Sequence, residues 1–244
     1  MGLRTVIQKR IKRPRFLWVY PLAAWVLCTA RPTEASLRWG ALLALLGEGL
    51  RLWANGYVGH RKVNWTQQWR NDPKIGQLIT AGPYAFVRHP LYLGSFLIGL
   101  GFCVLAATVW LPVVALIFFL LVYRAKMLNE EETLREEGGE AYQRYHAAVP
   151  QWLPTGRRYD QRFGAWSWQG IVASKEWKTT LWLVVGLIVV YLREELLEEH
   201  GVWMGRHWLK HMGLVGVAVA LIAWDAGFEL MRRRRVHQSP TKNS

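Results

Sequence analysis

Two groups of polar side chains border apolar runs in this chain, and both contain residue types that bind charged ligands. Arg88, His89 and Tyr92 surround Pro90 in the first group. Proline is favoured in the first turn of a helix, where its missing N–H is not needed. A helix is therefore predicted to begin near Pro90. The free amides and the positive dipole end at such a helix start favour an anionic group.

The second group, Asn129 to Glu132, ends the next long apolar run. Lys126 and Glu130 are four residues apart and share one helix face. A carboxylate here and amides at the other helix start would together suit an amino-acid headgroup, such as the methionyl part of S-adenosylmethionine. Two alternatives stay open. Arg88 and His89 are also typical of a basic membrane anchor, and consecutive glutamates are typical of a solvated helix face.

Composition predicts the kind of protein that positions these groups. The chain has 244 residues, is 52% hydrophobic and contains 15 Trp, which is typical of a membrane protein with interfacial aromatic residues. We predict an all-α, polytopic helical membrane protein of six spans with a cofactor pocket at its cytoplasmic face. The spans are expected at about 16–31, 37–58, 91–109, 111–128, 179–197 and 208–230.

The distribution of Lys and Arg predicts the topology. Basic residues dominate the N-terminus, the loop after the second span, the segment after the fourth span and the C-terminal tail. All four regions lie on one side if the chain crosses six times, so both termini are expected in the cytoplasm. We expect an integral protein of the inner membrane of a prokaryote, whose partners are the lipid bilayer and a lipophilic small molecule.

The net charge of +14 is explained by topology and anionic lipid, so no nucleic-acid partner is predicted. No obligate protein partner is inferred either. The two cysteines lie in apolar spans, and no metal site is predicted.

Three parts are expected along the chain: a four-span core over 1–154, a cytoplasmic interfacial segment over 155–178, and a two-span extension with a basic tail over 179–244. Within the spans, Glu48 is expected to pair with Arg51. Asp225 is a candidate for the acceptor path.

The segment Arg88-His89-Pro90-Leu91-Tyr92-Leu93-Gly94 resembles a signature of the isoprenylcysteine carboxyl methyltransferases and the related phospholipid methyltransferases, which are integral membrane enzymes. Glu130-Glu131, Gly139 to Tyr145, and Val149-Pro150 resemble later motifs of that family in the same order.

This resemblance implies methyl transfer from S-adenosylmethionine, with S-adenosylhomocysteine as product, to a membrane-dissolved acceptor. It assigns cofactor binding to Gly76, Gln77, Leu78, Ile79, Tyr84, His89, Pro90, Leu91, Tyr92, Glu130 and Glu131. It also implies that Tyr142, Tyr145 and the Val149-Pro150 turn close the site from the cytoplasm. Lys126, Arg88 and His89 are expected at the reacting centre.

The sequence departs from the family at one position that bears on the acceptor. The family has an arginine one turn before the first glutamate, facing the substrate, and Lys126 stands there in this chain with Arg124 nearby. Lysine cannot make a planar bidentate contact with a carboxylate. The acceptor is therefore either the carboxylate of an isoprenylcysteine-like compound or another small lipid. A phospholipid amine acceptor, a membrane reductase and a scaffold of related fold remain as alternatives.

Overall fold

The computed structural model describes residues 30, 32–59, 78–198 and 208–238, in which helices are joined by irregular segments and no strand occurs. Helix α1 spans Glu34–Val58, and a 3₁₀ turn spans Gly82–Ala85. Helix α2 spans Pro90–Leu105, and α3 spans Leu111–Ala148. Three more helices follow: α4 over Trp168–Ser174, α5 over Glu176–Glu198 and α6 over Trp208–Gln238. The all-helical prediction is confirmed for these residues.

Helix starts follow local chemistry. Thr33 caps α1 by accepting from the Ser36 amide at 3.2 Å, while the Ser36 hydroxyl accepts from the Thr33 amide at 2.9 Å. This reciprocal pair satisfies donors that a helix start leaves free. Pro90 is the first residue of α2 and His89 is its N-cap, as the sequence predicts.

Helices α1 and α2 form the closest helix pair near the site. A Cβ on Gly47 would lie 2.7 Å from the Gly94 carbonyl oxygen, and one on Gly40 would lie 2.7 Å from the Gly101 carbonyl oxygen. Only glycine permits such an approach, which is typical of helix packing in membranes. This packing fixes the start of α2 beside the C-terminal half of α1.

Helix α3 is longer than the predicted fourth span and changes direction at Gly139, whose φ is 50° and ψ is −135°. This positive φ suits glycine. The residues after it, 140–150, are called the lid below. Buried Tyr142, Tyr145 and Val149 of the lid pack with Leu78, Leu134 and Tyr159. The lid therefore packs back against the part of α3 that precedes Gly139.

Two of the described helices contain segments long and apolar enough to cross a membrane, Leu111–Glu136 and Trp208–Phe228, and Pro90–Leu105 is a shorter apolar helix. Helices also occupy the regions expected for the second and fifth spans. The first expected span, 16–31, lies almost entirely outside the described residues. The number of six spans stays a prediction, as do the three domain boundaries.

Candidate functional site

A cavity of about 220 Å³ opens where the start of α2, the middle of α3 and the lid meet. It brings together the two polar groups that the sequence singles out. Its lining combines apolar, aromatic and charged side chains and includes Arg51, Leu78, Ile79, Tyr84, Arg88, His89, Pro90, Leu91, Tyr92, Ser95, Tyr123, Lys126, Glu130, Tyr142 and Tyr145. Such a mixture suits a ligand with both polar and apolar parts.

Glu130 presents its carboxylate to this cavity. The Tyr92 hydroxyl donates to Glu130 Oε2 at 2.8 Å, which joins α2 to α3. The Lys126 ammonium nitrogen lies 5.4 Å from the centre of the Tyr92 ring. Because Tyr92 occupies only one carboxylate oxygen among the described contacts, Glu130 keeps acceptor capacity for a ligand ammonium.

Glu131, the next residue, is buried and does not line the cavity. Its Oε1 lies 2.9 Å from His89 Nε2, 3.5 Å from Arg88 Nη2 and 3.3 Å from the donating Gln151 amide. Its Oε2 lies 3.7 Å from His146 Nε2. This carboxylate therefore connects the residues before α2 to the lid and its neighbour Gln151.

The lid is also held by hydrogen bonds to the backbone. The Tyr145 hydroxyl donates to the Tyr84 carbonyl oxygen at 2.7 Å, and the Arg88 amide donates to the Pro150 carbonyl oxygen at 2.9 Å. Burial raises the pKa of Tyr145 and that of Tyr84 above their usual range. Both hydroxyls therefore stay protonated at neutral pH, as the Tyr145 donation requires.

Buried polar atoms at the cavity test whether the residues fit a polar cofactor. Arg88 Nε and Nη1 and the Tyr142 hydroxyl are buried and have no hydrogen-bond partner within the described part of the chain. Burial also raises the pKa of Tyr142 to about 12. Buried polar groups normally have partners. These atoms, together with the Glu130 carboxylate, fit a ligand that carries both an ammonium and anionic or acceptor groups, as S-adenosylmethionine does.

The sequence predictions for this site fall into three groups. Leu78, Ile79, Tyr84, Pro90 and Leu91 line the cavity together with Arg88, His89, Tyr92, Lys126 and Glu130. Gly76 and Gln77 lie outside the described residues. Glu131 and Arg124 do not line the cavity, and Arg124 is exposed. The binding roles of all these residues remain predictions.

Five lining residues were not predicted for the site: Arg51, Val58, Ser95, Tyr123 and Leu134. The sequence did indicate a role for Arg51, because an ionisable residue within an expected span often belongs to a functional site. Its predicted contact with Glu48 is confirmed, at 3.8 Å between Arg51 Nε and Glu48 Oε2.

Asp225, a candidate for the acceptor path, lies 2.8 Å from Lys178 Nζ. Among the described residues, no group of three or more His, Cys, Asp or Glu side chains could hold a metal ion.

The comparisons with known proteins match the part of the chain that contains most of the cavity lining. Residues 40–136 match the sequence model of the isoprenylcysteine carboxyl methyltransferase family. The chain is 30% identical over 147 residues to protein-S-isoprenylcysteine O-methyltransferase of Rattus norvegicus, an alignment covering 56% of this chain and 50% of that protein. The Schizosaccharomyces pombe protein of the same name is 32% identical over 112 residues, or 45% of each chain.

A third relative has a different name. The cobalt-zinc-cadmium resistance protein CzcN of Cupriavidus metallidurans is 29% identical over 165 residues, or 67% of each chain. No solved structure gives a significant match. The described part of the chain contains helices and no strand, and its apolar helices together with the matches support a membrane protein. The resemblance to the isoprenylcysteine carboxyl methyltransferase family is confirmed by these matches, and the chain spans about half the length of the rat relative.

Proposed function

We propose that this protein is an integral membrane enzyme that transfers a methyl group from S-adenosylmethionine to a lipophilic acceptor dissolved in the bilayer. The observation that carries the proposal is a cavity, within the described part of the chain, that gathers Glu130, Tyr92 and His89 at the start of α2. The family match covers the same elements, since residues 40–136 include all three side chains.

The residues of the cavity have separable tasks toward the cofactor. Glu130 would hold the amino group of the methionyl part, and Tyr92 fixes the direction of that carboxylate through the 2.8 Å hydrogen bond. The orphan donors of Arg88 and the Tyr142 hydroxyl would bind the anionic or acceptor groups. The remaining contacts would come from Leu78, Ile79, Tyr84 and the start of α2.

When bound, S-adenosylmethionine supplies a methyl group whose attachment to a positively charged sulfur makes it electrophilic. An oxygen or nitrogen of the acceptor would take this methyl group, and S-adenosylhomocysteine would be the leaving group. The chain's contribution is to orient the two reactants and exclude water. The lid serves the second task, because Tyr142 and Tyr145 are almost fully buried against the site.

The charges around the cavity favour an anionic acceptor. Of the three cations that line it, Arg51 is paired with Glu176 and Arg88 with Glu131, which leaves the Lys126 ammonium to attract an anionic group. A carboxylate acceptor needs no general base, whereas an ammonium must first lose a proton. The rat relative and the Schizosaccharomyces pombe relative are both named protein-S-isoprenylcysteine O-methyltransferase. The proposed acceptor is accordingly a lipophilic carboxylate, with a phospholipid amine as the alternative.

The proposal includes a location. The cavity lies on the same side as the basic loops if six spans form, so the cofactor enters from the cytoplasm and the acceptor enters sideways from the bilayer. Both termini are then cytoplasmic. Exposed apolar side chains on α3, including Val113, Ile117 and Leu121, would face lipid.

The test is methyl transfer by the purified full chain in lipid nanodiscs. The protein is incubated with S-adenosylmethionine labelled in its methyl group and with an S-prenylated cysteine carboxylate, phosphatidylethanolamine or no added acceptor. We expect lipid-extractable label with the carboxylate, released as methanol by base because the product is a methyl ester. Base-stable label on phosphatidylethanolamine would support the amine alternative. No labelled product, together with no binding of S-adenosylhomocysteine by folded protein, would contradict the proposed function.

A further inference from the structure

Arg51 lies in the cavity wall and is held there by residues of three helices. Its Nε and Nη2 each lie 2.6 Å from Glu176 Oε1, at the first residue of α5. Its Nη1 donates to the Leu91 carbonyl oxygen at 3.3 Å and to the Ser95 hydroxyl, both on α2. The guanidinium of α1 is thus fixed between the start of α2 and the start of α5.

Glu176 is only 2% exposed and lies beyond residues 40–136, which carry the family match. A second contact joins the same helices, since the Thr180 hydroxyl donates to Glu48. Glu176 lies in the segment 155–178 that the sequence analysis expects at the cytoplasmic interface, and it contacts a residue of the cavity wall. Thr180 lies in the expected two-span extension and contacts α1 at Glu48. Leu91 and Ser95, which Arg51 contacts, also line the cavity.

The arrangement has a physical consequence for the site. An arginine side chain has many rotamers, and fixing it costs conformational entropy. A charge-assisted contact between guanidinium and carboxylate supplies a strong directional restraint. Without the Glu176 carboxylate, Arg51 would keep the longer 3.8 Å contact with Glu48 and would either turn toward the cavity or leave its contacts with α2. Either change would alter the wall that contains Leu91 and Ser95.

We propose that Glu176 is a positioning residue of the site, which holds the Arg51 guanidinium against the start of α2 and so shapes the cavity wall. The C-terminal helices are then part of the binding site. This inference rests on the proposed function for the identity of the ligand, and on the Arg51 contacts for the positioning itself.

The experiment compares the full chain with Glu176→Gln, Arg51→Gln and the double variant. Glu195→Gln is the matched control, because Glu195 is also on α5 and forms an ion pair with Lys210 at 2.9 Å, but does not line the cavity. Three quantities are measured: Tm, the Kd for S-adenosylhomocysteine at a temperature at which all variants are folded, and hydrogen exchange of the backbone amides over 88–95. The exchange is measured on the protein without ligand.

We expect Glu176→Gln and Arg51→Gln each to weaken binding by about tenfold, and the double variant to be no weaker than the worse single variant, since the two residues act as one unit. Exchange should rise selectively over 88–95 in all three. Glu195→Gln should lower Tm and leave both the Kd for S-adenosylhomocysteine and the exchange over 88–95 at their wild-type values. Wild-type affinity and exchange in Glu176→Gln, even with a lower Tm, would overturn the inference, and so would losses that add in the double variant.

The exchange measurement separates the two proposals. If folded wild-type protein does not bind S-adenosylhomocysteine, the proposed function fails. Selective exchange over 88–95 in Glu176→Gln would then still support positioning, and unchanged exchange would overturn it.

Discussion

Glu130 and Glu131 are neighbours in sequence and lie in different environments. Glu130 lines the cavity, and Tyr92 donates to it at 2.8 Å. Glu131 does not line the cavity, and Arg88, His89, His146 and Gln151 surround it. Because successive residues on a helix face different directions, two carboxylates of one motif can have separate tasks. Glu130 is suited to bind a ligand, and Glu131 is suited to hold the lid against α2.

The comparison predicts first that Glu131→Gln destabilises the protein more than any other change at the site. The substitution leaves Arg88 buried beside a neutral amide, and breaking a buried charge pair costs on the order of 3 kcal/mol. Thermal unfolding in detergent should show a Tm lower by several degrees. Glu132→Gln is the control, because Glu132 follows Glu131 on the same helix and is exposed. Equal Tm values for the two variants would remove the lid-holding role from Glu131.

The second prediction concerns Tyr92→Phe, which removes the hydrogen bond to Glu130 and keeps the ring packed on Tyr123. The loss of a hydrogen bond to a charged group corresponds to roughly a tenfold weaker Kd for S-adenosylhomocysteine. Tm should change little, because Glu130 borders the open cavity. A large loss of Tm with unchanged affinity would show that the Tyr92–Glu130 contact serves folding instead of binding.

The smallest expected effect is on the pH dependence of stability. Burial and the positive charge of Arg88 lower the pKa of His146. The unfolded chain therefore binds a proton at higher pH than the folded chain does, and stability falls as pH drops through and below the unfolded pKa. His146→Gln lacks this term, so its Tm should fall less than that of wild type between about pH 7.5 and pH 5.5. The same pH dependence of Tm in both proteins would contradict a lowered pKa of His146 in the folded protein.

Much of the site follows from local sequence. Pro90 predicts where α2 begins, and the four-residue spacing of Lys126 and Glu130 predicts that both lie on one face. Both predictions hold, since Pro90 begins α2 and both side chains line the cavity. These features depend only on backbone chemistry and helix geometry.

The remaining features depend on contacts between distant segments. Nothing near Arg51 in sequence indicates that Glu176 and Ser95 contact it, because 125 and 44 residues separate these pairs. The turn at Gly139 that brings the lid back over the site is also invisible to helix periodicity, since the pattern on both sides is helical. For the same reason, sequence assigned both glutamates to the cofactor, while only Glu130 lines the cavity.

The most direct test of the central claim is isothermal titration of S-adenosylhomocysteine into the purified full chain, Glu130→Gln and Glu132→Gln. A charged hydrogen bond to the ligand ammonium predicts micromolar binding by wild type, a loss of about 100-fold in Glu130→Gln, and wild-type affinity in Glu132→Gln. All three proteins should have similar Tm values. Folded wild type that does not bind the ligand, or Glu130→Gln that binds it as wild type does, would contradict the account.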